Sequence, residues 1–271
     1  MKKPTNRNAV KIKILLITLV LIFALMGGFT VALIRDMYTM NKGQSFYDSV
    51  AATYYSPQNQ TAQKVEETTT IITPPTDAPP PVFEAALDFN ALREFFPDIT
   101  GWLKAENTVI NYPIVQGVNN EYYLDRLPDG TQNKMGSIFL DFRNSADFSD
   151  DNIFIYGHHM RSGDKFGTFR QYKQQDYFEN HSTMSLYTST DNFTIDLFAA
   201  YILDSANEIP PMRFINQTDF ELYMNHVKER SFFSSDTQVS FGDKLIFLCT
   251  CNDSGNKNER LILVGKIKST Q

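Results

Sequence analysis

Lys244-Leu245-Ile246-Phe247-Leu248-Cys249-Thr250-Cys251 decides how this chain is read, together with the polar loop Asn252–Glu259 and the second apolar run Leu261–Lys268 that follow it. Eight residues bounded by polar loops are too few for an ordinary helix and suit a strand. Leu245, Phe247, Cys249 and Cys251 alternate along one face, so the two thiols point the same way. Similar runs lie upstream at Thr108–Val115, Ser137–Asp141, Ile153–Tyr156 and Phe193–Leu203, with Pro128-Asp129-Gly130 as a clear turn. Two helices interrupt them. Phe89, Leu92 and Phe96 share a face before Pro97, and Asp219 is placed to cap a helix that aligns Phe220, Tyr223 and Val227. Many short strands and few helices predict a mainly β domain, a barrel or a sandwich.

Upstream of this domain the composition changes. The chain of 271 residues has a net charge of −6, yet its first 13 residues hold Lys2, Lys3, Arg7, Lys11 and Lys13 and no acid. Residues 14–34 then carry no charge for 21 positions, enough helix to cross a hydrocarbon core of about 30 Å. The basic flank predicts a cytoplasmic N-terminus, residues 1–13, with the remainder of the chain outside a single-pass membrane anchor. A cleaved signal peptide is disfavoured by the length of the run and the lack of a small-x-small site. Residues 35–81 read as an extracellular stalk rich in Pro and Thr, extended from Gln58 to Pro81, with a short helix over Phe46–Tyr55. The folded domain is expected at 82–271. The acidic balance excludes a nucleic-acid partner, because phosphate binding needs clustered Lys and Arg.

The chemistry-bearing residues fall at strand ends. Cys251 stands where its strand gives way to a loop, Arg260 opens the next strand, and His158 and His159 follow the run Ile153–Tyr156. A thiol, an imidazole and a guanidinium on one rim supply a nucleophile, an acid–base and an oxyanion donor. Cys249 reads as a core residue, since free cysteine is among the most buried types. His181 and His226 read as structural or solvent-facing. A zinc site is disfavoured because neither C-x-C nor adjacent histidines has the usual ligand spacing; no metal and no cofactor are expected.

Leu248-Cys249-Thr250-Cys251 with Arg260 nine residues on resembles the L-x-T-C…R signature of sortases, and Tyr156-Gly157-His158 resembles their histidine motif. Pro97–Leu103, Ile110–Gln116, Asn120–Leu124 and Gly136–Asp141 are similar to successive blocks of class B sortases, as is the helical segment Phe220–Phe233 before the catalytic strand. The resemblance spans residues 86–268. It implies an eight-stranded sortase-type β-barrel with an N-terminal helix, on the outer face of a Gram-positive membrane. Residue by residue it implies Cys251 as nucleophile, His158 as catalytic histidine and Arg260 as transition-state arginine, with Asn120, Leu124, Tyr156 and Cys249 lining the peptide groove and Thr250 as a further hydroxyl donor. Phe247 stands where the family usually has Thr, and Cys249 where it often has Ser.

The activity implied is transpeptidation. A sorting signal of a secreted surface protein is cut after its threonine, held as a thioester and passed to an amine of peptidoglycan or of a pilin. With ordinary values near 8.5 for Cys and 6.5 for His, the thiolate–imidazolium pair is populated to only about one per cent at pH 7, which implies slow turnover. Lack of a second span and of an Asp-Pro-aromatic lid argues against a class C polymerase. Two other classes are compatible with parts of the sequence: a tethered cysteine peptidase, and a stalk-mounted adhesive or binding module, which has no need of a rim thiol.

Overall fold

The computed structural model describes residues 7–54, 87–251 and 256–270. The Pro- and Thr-rich stretch from Gln58 to Pro81 lies outside the described residues. The chain divides into two units, Met1–Ser45 and Phe46–Gln271. Helix α1, Arg7–Tyr54, begins in the first and ends in the second. From Val10 to Tyr38 its large apolar side chains are exposed; Leu25, for example, is 74% exposed. It is the one helix, among the described residues, long and apolar enough to cross a membrane. Thr18 and Thr30 donate back to Leu15 O and Met26 O at 2.8 and 2.6 Å, which satisfies both hydroxyls without water.

The second unit is an eight-stranded closed barrel. Its strands are β1 (Ile99–Lys104), β2 (Asn111–Val115), β3 (Ile138–Leu140), β4 (Asn152–Tyr156), β5 (Thr183–Thr188), β6 (Asn192–Asp204), β7 (Leu245–Cys251) and β8 (Glu259–Ser269), ordered β1-β2-β3-β4-β7-β8-β6-β5 around the ring. The pairs β2–β3 and β4–β7 are parallel and the others antiparallel. Alternation sorts the side chains. Ile246 and Leu248 of β7 join Ile153 and Ile155 of β4 and Leu261 and Leu263 of β8 in the interior core. Leu245, Phe247 and Cys249 face the other way, into a second core roofed by Phe220, Met224 and Val227 of helix α4, Gln217–Arg230. Because both faces are covered, β7 reads as an unbroken apolar run.

Helix α2, Phe89–Phe95, is capped by Asp88, which accepts from Asn90 N and Ala91 N, and ends just before Pro97 as the spacing predicts. A one-turn helix α3, Gln175–Asn180, lies between β4 and β5. The turn at Pro128–Gly130 is also present, closed by Gly130 N donating to Leu127 O at 2.9 Å with Gly130 in the left-handed region.

Several expectations change in detail. The cap of α4 is Asn216, whose side chain accepts from Asp219 N at 2.9 Å, so Asp219 falls inside the first turn. The run Thr108–Val115 becomes a strand only at Asn111, because Thr108 closes a turn by donating to Ala105 O and accepting from Ile110 N. Strands β1 and β5 were not anticipated from hydrophobic pattern. The short helix expected at Phe46–Tyr55 is the end of the continuous α1, and it packs on the barrel. Val50 joins Phe89, Leu92, Phe96 and Trp102 in a third core, while Tyr47 reaches the interior cluster.

Lys165, between β4 and α3, is completely buried. Its Nζ, which has no hydrogen-bond partner among the described residues, lies 2.8 Å from the Tyr47 ring centroid and 4.3 Å from that of Tyr112. Burial pushes its amine well below the ordinary lysine value, against a smaller opposite pull from Asp164. Between the depressed value and the unfolded value near 10.4, the unfolded chain binds a proton that the folded chain does not, so stability rises with pH across that window. Lys165→Met removes this cost. It should melt higher than the parent at pH 7, with the gap closing as the pH approaches 10, as followed by circular dichroism.

Candidate active site

Backbone pairing assembles the site. In the parallel pair, Ile155 lies opposite Leu248 and Tyr156 opposite Cys249, and Gly157 N donates to Cys249 O at 3.1 Å. Two residues further along each strand come His158 and Cys251. In the antiparallel pair β7–β8, Cys251 lies opposite Arg260. Three neighbouring strands thus bring His158, Cys251 and Arg260 to one rim of the barrel.

His158 is half-buried, and its Nε2 meets Leu124 O at 2.5 Å. A carbonyl only accepts, so Nε2 carries the proton in this arrangement. The fit is tight: a Cβ on Gly136, whose φ is +58°, would fall 2.8 Å from His158 Cδ2 and collide with Leu124 O. Only glycine allows the backbone to run beneath the imidazole here. On the other side, Phe166 N donates to His158 O at 3.1 Å, closing the loop that follows the histidine. The Arg260 guanidinium donates to Lys257 O at 2.6 Å and Glu259 O at 3.1 Å, which turns it toward the loop between β7 and β8.

The other expected residues occupy distinct environments. Cys249 is buried in the core beneath α4, as read from the sequence. Its thiol is pushed far up, by burial first and by Asp141 second, with Arg260 pulling the other way. Such a thiol stays protonated and is a poor nucleophile. Thr250 is buried on the opposite face of the strand, with no partner for its hydroxyl among the described residues. Leu124 is 41% exposed and lines a cleft of about 580 Å³ with Asn119, Tyr122 and Arg126. His181 packs against Tyr177, and His226 lies on α4 beside Arg230.

Asn120 and Tyr156 meet on a residue that sequence reasoning passed over, Asp141. This carboxylate has no exposed surface and accepts from Arg143 Nε and Nη2 at 2.9 and 2.7 Å, Arg143 N at 2.9 Å, Asn120 Nδ2 at 3.0 Å and the Tyr156 hydroxyl at 2.9 Å. Burial alone would raise its pKa, but these donors, Arg143 foremost, prevail and hold it below the usual carboxylate range. Asn120 also accepts from Phe142 N at 3.0 Å, so its amide is occupied at both ends. The Tyr156 hydroxyl, its pKa raised by burial first and by the Asp141 carboxylate beside it, stays neutral as a donor. Tyr156, two residues before the histidine, is thus fixed through an ionised acid.

The family comparison agrees with this geometry. A sequence model of the sortase domain matches residues 103–268, more than half of the chain. The chain is 35% identical over 177 residues to sortase B of Listeria monocytogenes, covering 65% of this chain and 72% of that one. It is 30% identical over 180 residues to sortase B of Staphylococcus aureus, covering 66% and 74%. The chain belongs to the sortase family, class B. A structure of the Staphylococcus aureus sortase B–substrate complex superposes with a TM-score of 0.64 at 29% identity, covering 68% of this chain and 85% of that one.

Two measurements test this description of the sortase rim. Iodoacetamide at pH 7.5 should modify Cys251 and leave Cys249 unlabelled in the folded protein. Mass spectrometry of Cys249→Ser and Cys251→Ala checks it, and equal labelling of Cys249 contradicts its burial. Asp141→Ala strands the Tyr156 hydroxyl and the Asn120 amide, so it should cost about 2–3 kcal/mol at neutral pH by chemical denaturation. Because the Asp141 carboxylate is depressed in the fold, its contribution is present above the unfolded value near 3.9 and is lost as pH falls through the folded value. The difference between parent and variant should therefore shrink at low pH.

Proposed function

We propose that the chain is a membrane-anchored cysteine transpeptidase that cleaves the sorting signal of secreted surface proteins after threonine, holds the acyl group as a thioester on Cys251, and transfers it to an amine of peptidoglycan or of a pilin subunit. The observation that carries this reading is the strand register that brings the positions of His158, Cys251 and Arg260 to one rim. The apolar helix supports an anchor, with residues 1–13 cytoplasmic and the barrel outside.

In this mechanism the Cys251 thiolate attacks the threonine carbonyl and the carbonyl oxygen becomes an oxyanion, held by the Arg260 guanidinium. The tetrahedral intermediate collapses by expelling the amine of the next residue. His158, as imidazolium, gives that amine a proton. In the second half the acceptor amine attacks the thioester, loses its proton to His158 and releases the Cys251 thiolate. Asn120, Leu124, Tyr156 and Cys249 are proposed to shape the groove, and Thr250 to add a hydroxyl donor beside the nucleophile.

The test supplies sorting-type pentapeptides with and without an added amine. A transpeptidase yields the amine adduct, whereas a peptidase yields only free acid and a binding module yields neither. Cys251→Ala and His158→Ala should abolish product. Arg260→Lys keeps the charge but loses the planar fork, so acylation should fall on the order of a hundred- to a thousandfold. Near-parental acylation by Arg260→Lys would exclude the oxyanion role.

A further inference from the structure

The end of α1 touches the surroundings of His158 at two points. The Tyr47 hydroxyl, buried, donates to Gly136 O at 2.7 Å. Gly136 is the residue on which the imidazole rests, and its Cα packs against the Leu124 carbonyl that meets His158 Nε2. The Tyr47 ring, with that of Tyr112, encloses the Lys165 amine. Lys165 closes the loop that begins at His158: residues 159 and 165 pair as an isolated bridge, and Phe166 N donates to His158 O. Lys165 also donates its backbone N–H to the Tyr112 hydroxyl at 3.2 Å. Its φ of +53° lies in the left-handed region, which a lysine occupies only when its surroundings impose it. The enclosed side chain supplies that constraint.

We infer that Tyr47 and Lys165 are positioning residues for His158, Tyr47 fixing Gly136 beneath the imidazole and Lys165 pinning the far end of the loop that His158 opens. This rests on the reading of His158 as the acid–base. The last turns of α1, from Phe46 onward, then belong to the catalytic domain in function as well as in packing, because acid–base transfer is sensitive to sub-ångström displacement of the donor.

The experiment uses the full chain in lipid nanodiscs and the pentapeptide that gives amine adduct in the assay above. Tyr47→Phe keeps the ring over Lys165 and removes the bond to Gly136 O together with the weaker contact to Ser137 Oγ at 3.4 Å. Lys165→Ala empties the aromatic enclosure, and Lys165→Met refills it. Acylation is measured well below each melting midpoint, together with the 15N signals of the His158 ring. Tyr47→Phe and Lys165→Ala should each lower the maximal acylation rate about tenfold with KM within about twofold. Lys165→Met should restore the rate, and Tyr47→Phe should shift the His158 Nε2 signal. Unchanged rates in Tyr47→Phe and Lys165→Ala, beside an inactive His158→Ala, overturn the inference while leaving the catalytic reading intact. A loss that follows only the unfolded fraction, with an unmoved His158 signal, assigns both residues to stability and also overturns it. Parental activity in His158→Ala would instead remove the catalytic reading itself.

Discussion

The parallel hydrogen bonding of β4 with β7 is the constraint on which the site depends. Five residue pairs from Asn152–Leu245 to Tyr156–Cys249 fix the relative height of two strands remote in sequence. A slip by one residue would turn Cys249 toward the interior and Thr250 toward α4, and would separate the levels of His158 and Cys251. The register is locked from both sides. Ile246 and Leu248 fill the barrel, while Phe247 stacks on Phe154 at 4.8 Å beneath α4. The stack fills both faces with groups that fit one alignment, so packing and chemistry are set by the same ladder.

Around that ladder the polar groups divide into two kinds. Asp141 is buried but saturated with donors, and it holds Asn120 and Tyr156 at fixed points beside the rim. Lys165 is buried without a hydrogen bond for its amine among the described residues and is held by aromatic faces instead. The first is a satisfied ionised group, whereas the second costs stability at neutral pH. Such a cost is commonly tolerated where geometry matters to function.

Much of this was legible in the sequence, for identifiable reasons. Strands β4, β6, β7 and β8 are long or buried on both faces, so their apolar runs stand out. β1 is harder to see, because it follows directly on Pro97 and is interrupted by Gly101, which Phe148 and the Tyr187 carbonyl crowd closely. β5, Thr183–Thr188, mixes Thr and Ser with its three buried apolar residues and carries little contrast. The positions of Cys251, His158 and Arg260 were visible because strand ends are marked by a change of composition. Asp141 was not, since an acid after a strand looks like an ordinary turn residue until Arg143, Asn120 and Tyr156 converge on it. Phe46–Tyr54 was read with the stalk because its contacts lie with Phe89, Phe96 and Tyr112, far along the chain.

Closure of the barrel has a consequence for how a peptide is read. The strand order returns from β5 to β1, so among the described residues every strand of the ring has a neighbour on both sides over at least part of its length. An extended peptide therefore finds no whole open edge strand on which to add itself, the route by which many β proteins bind peptides without regard to side chains. On the proposed reading of the chain as a transpeptidase, affinity and selectivity would then come chiefly from loops and side chains at the rim, while the ladder beneath them sets only where those groups stand.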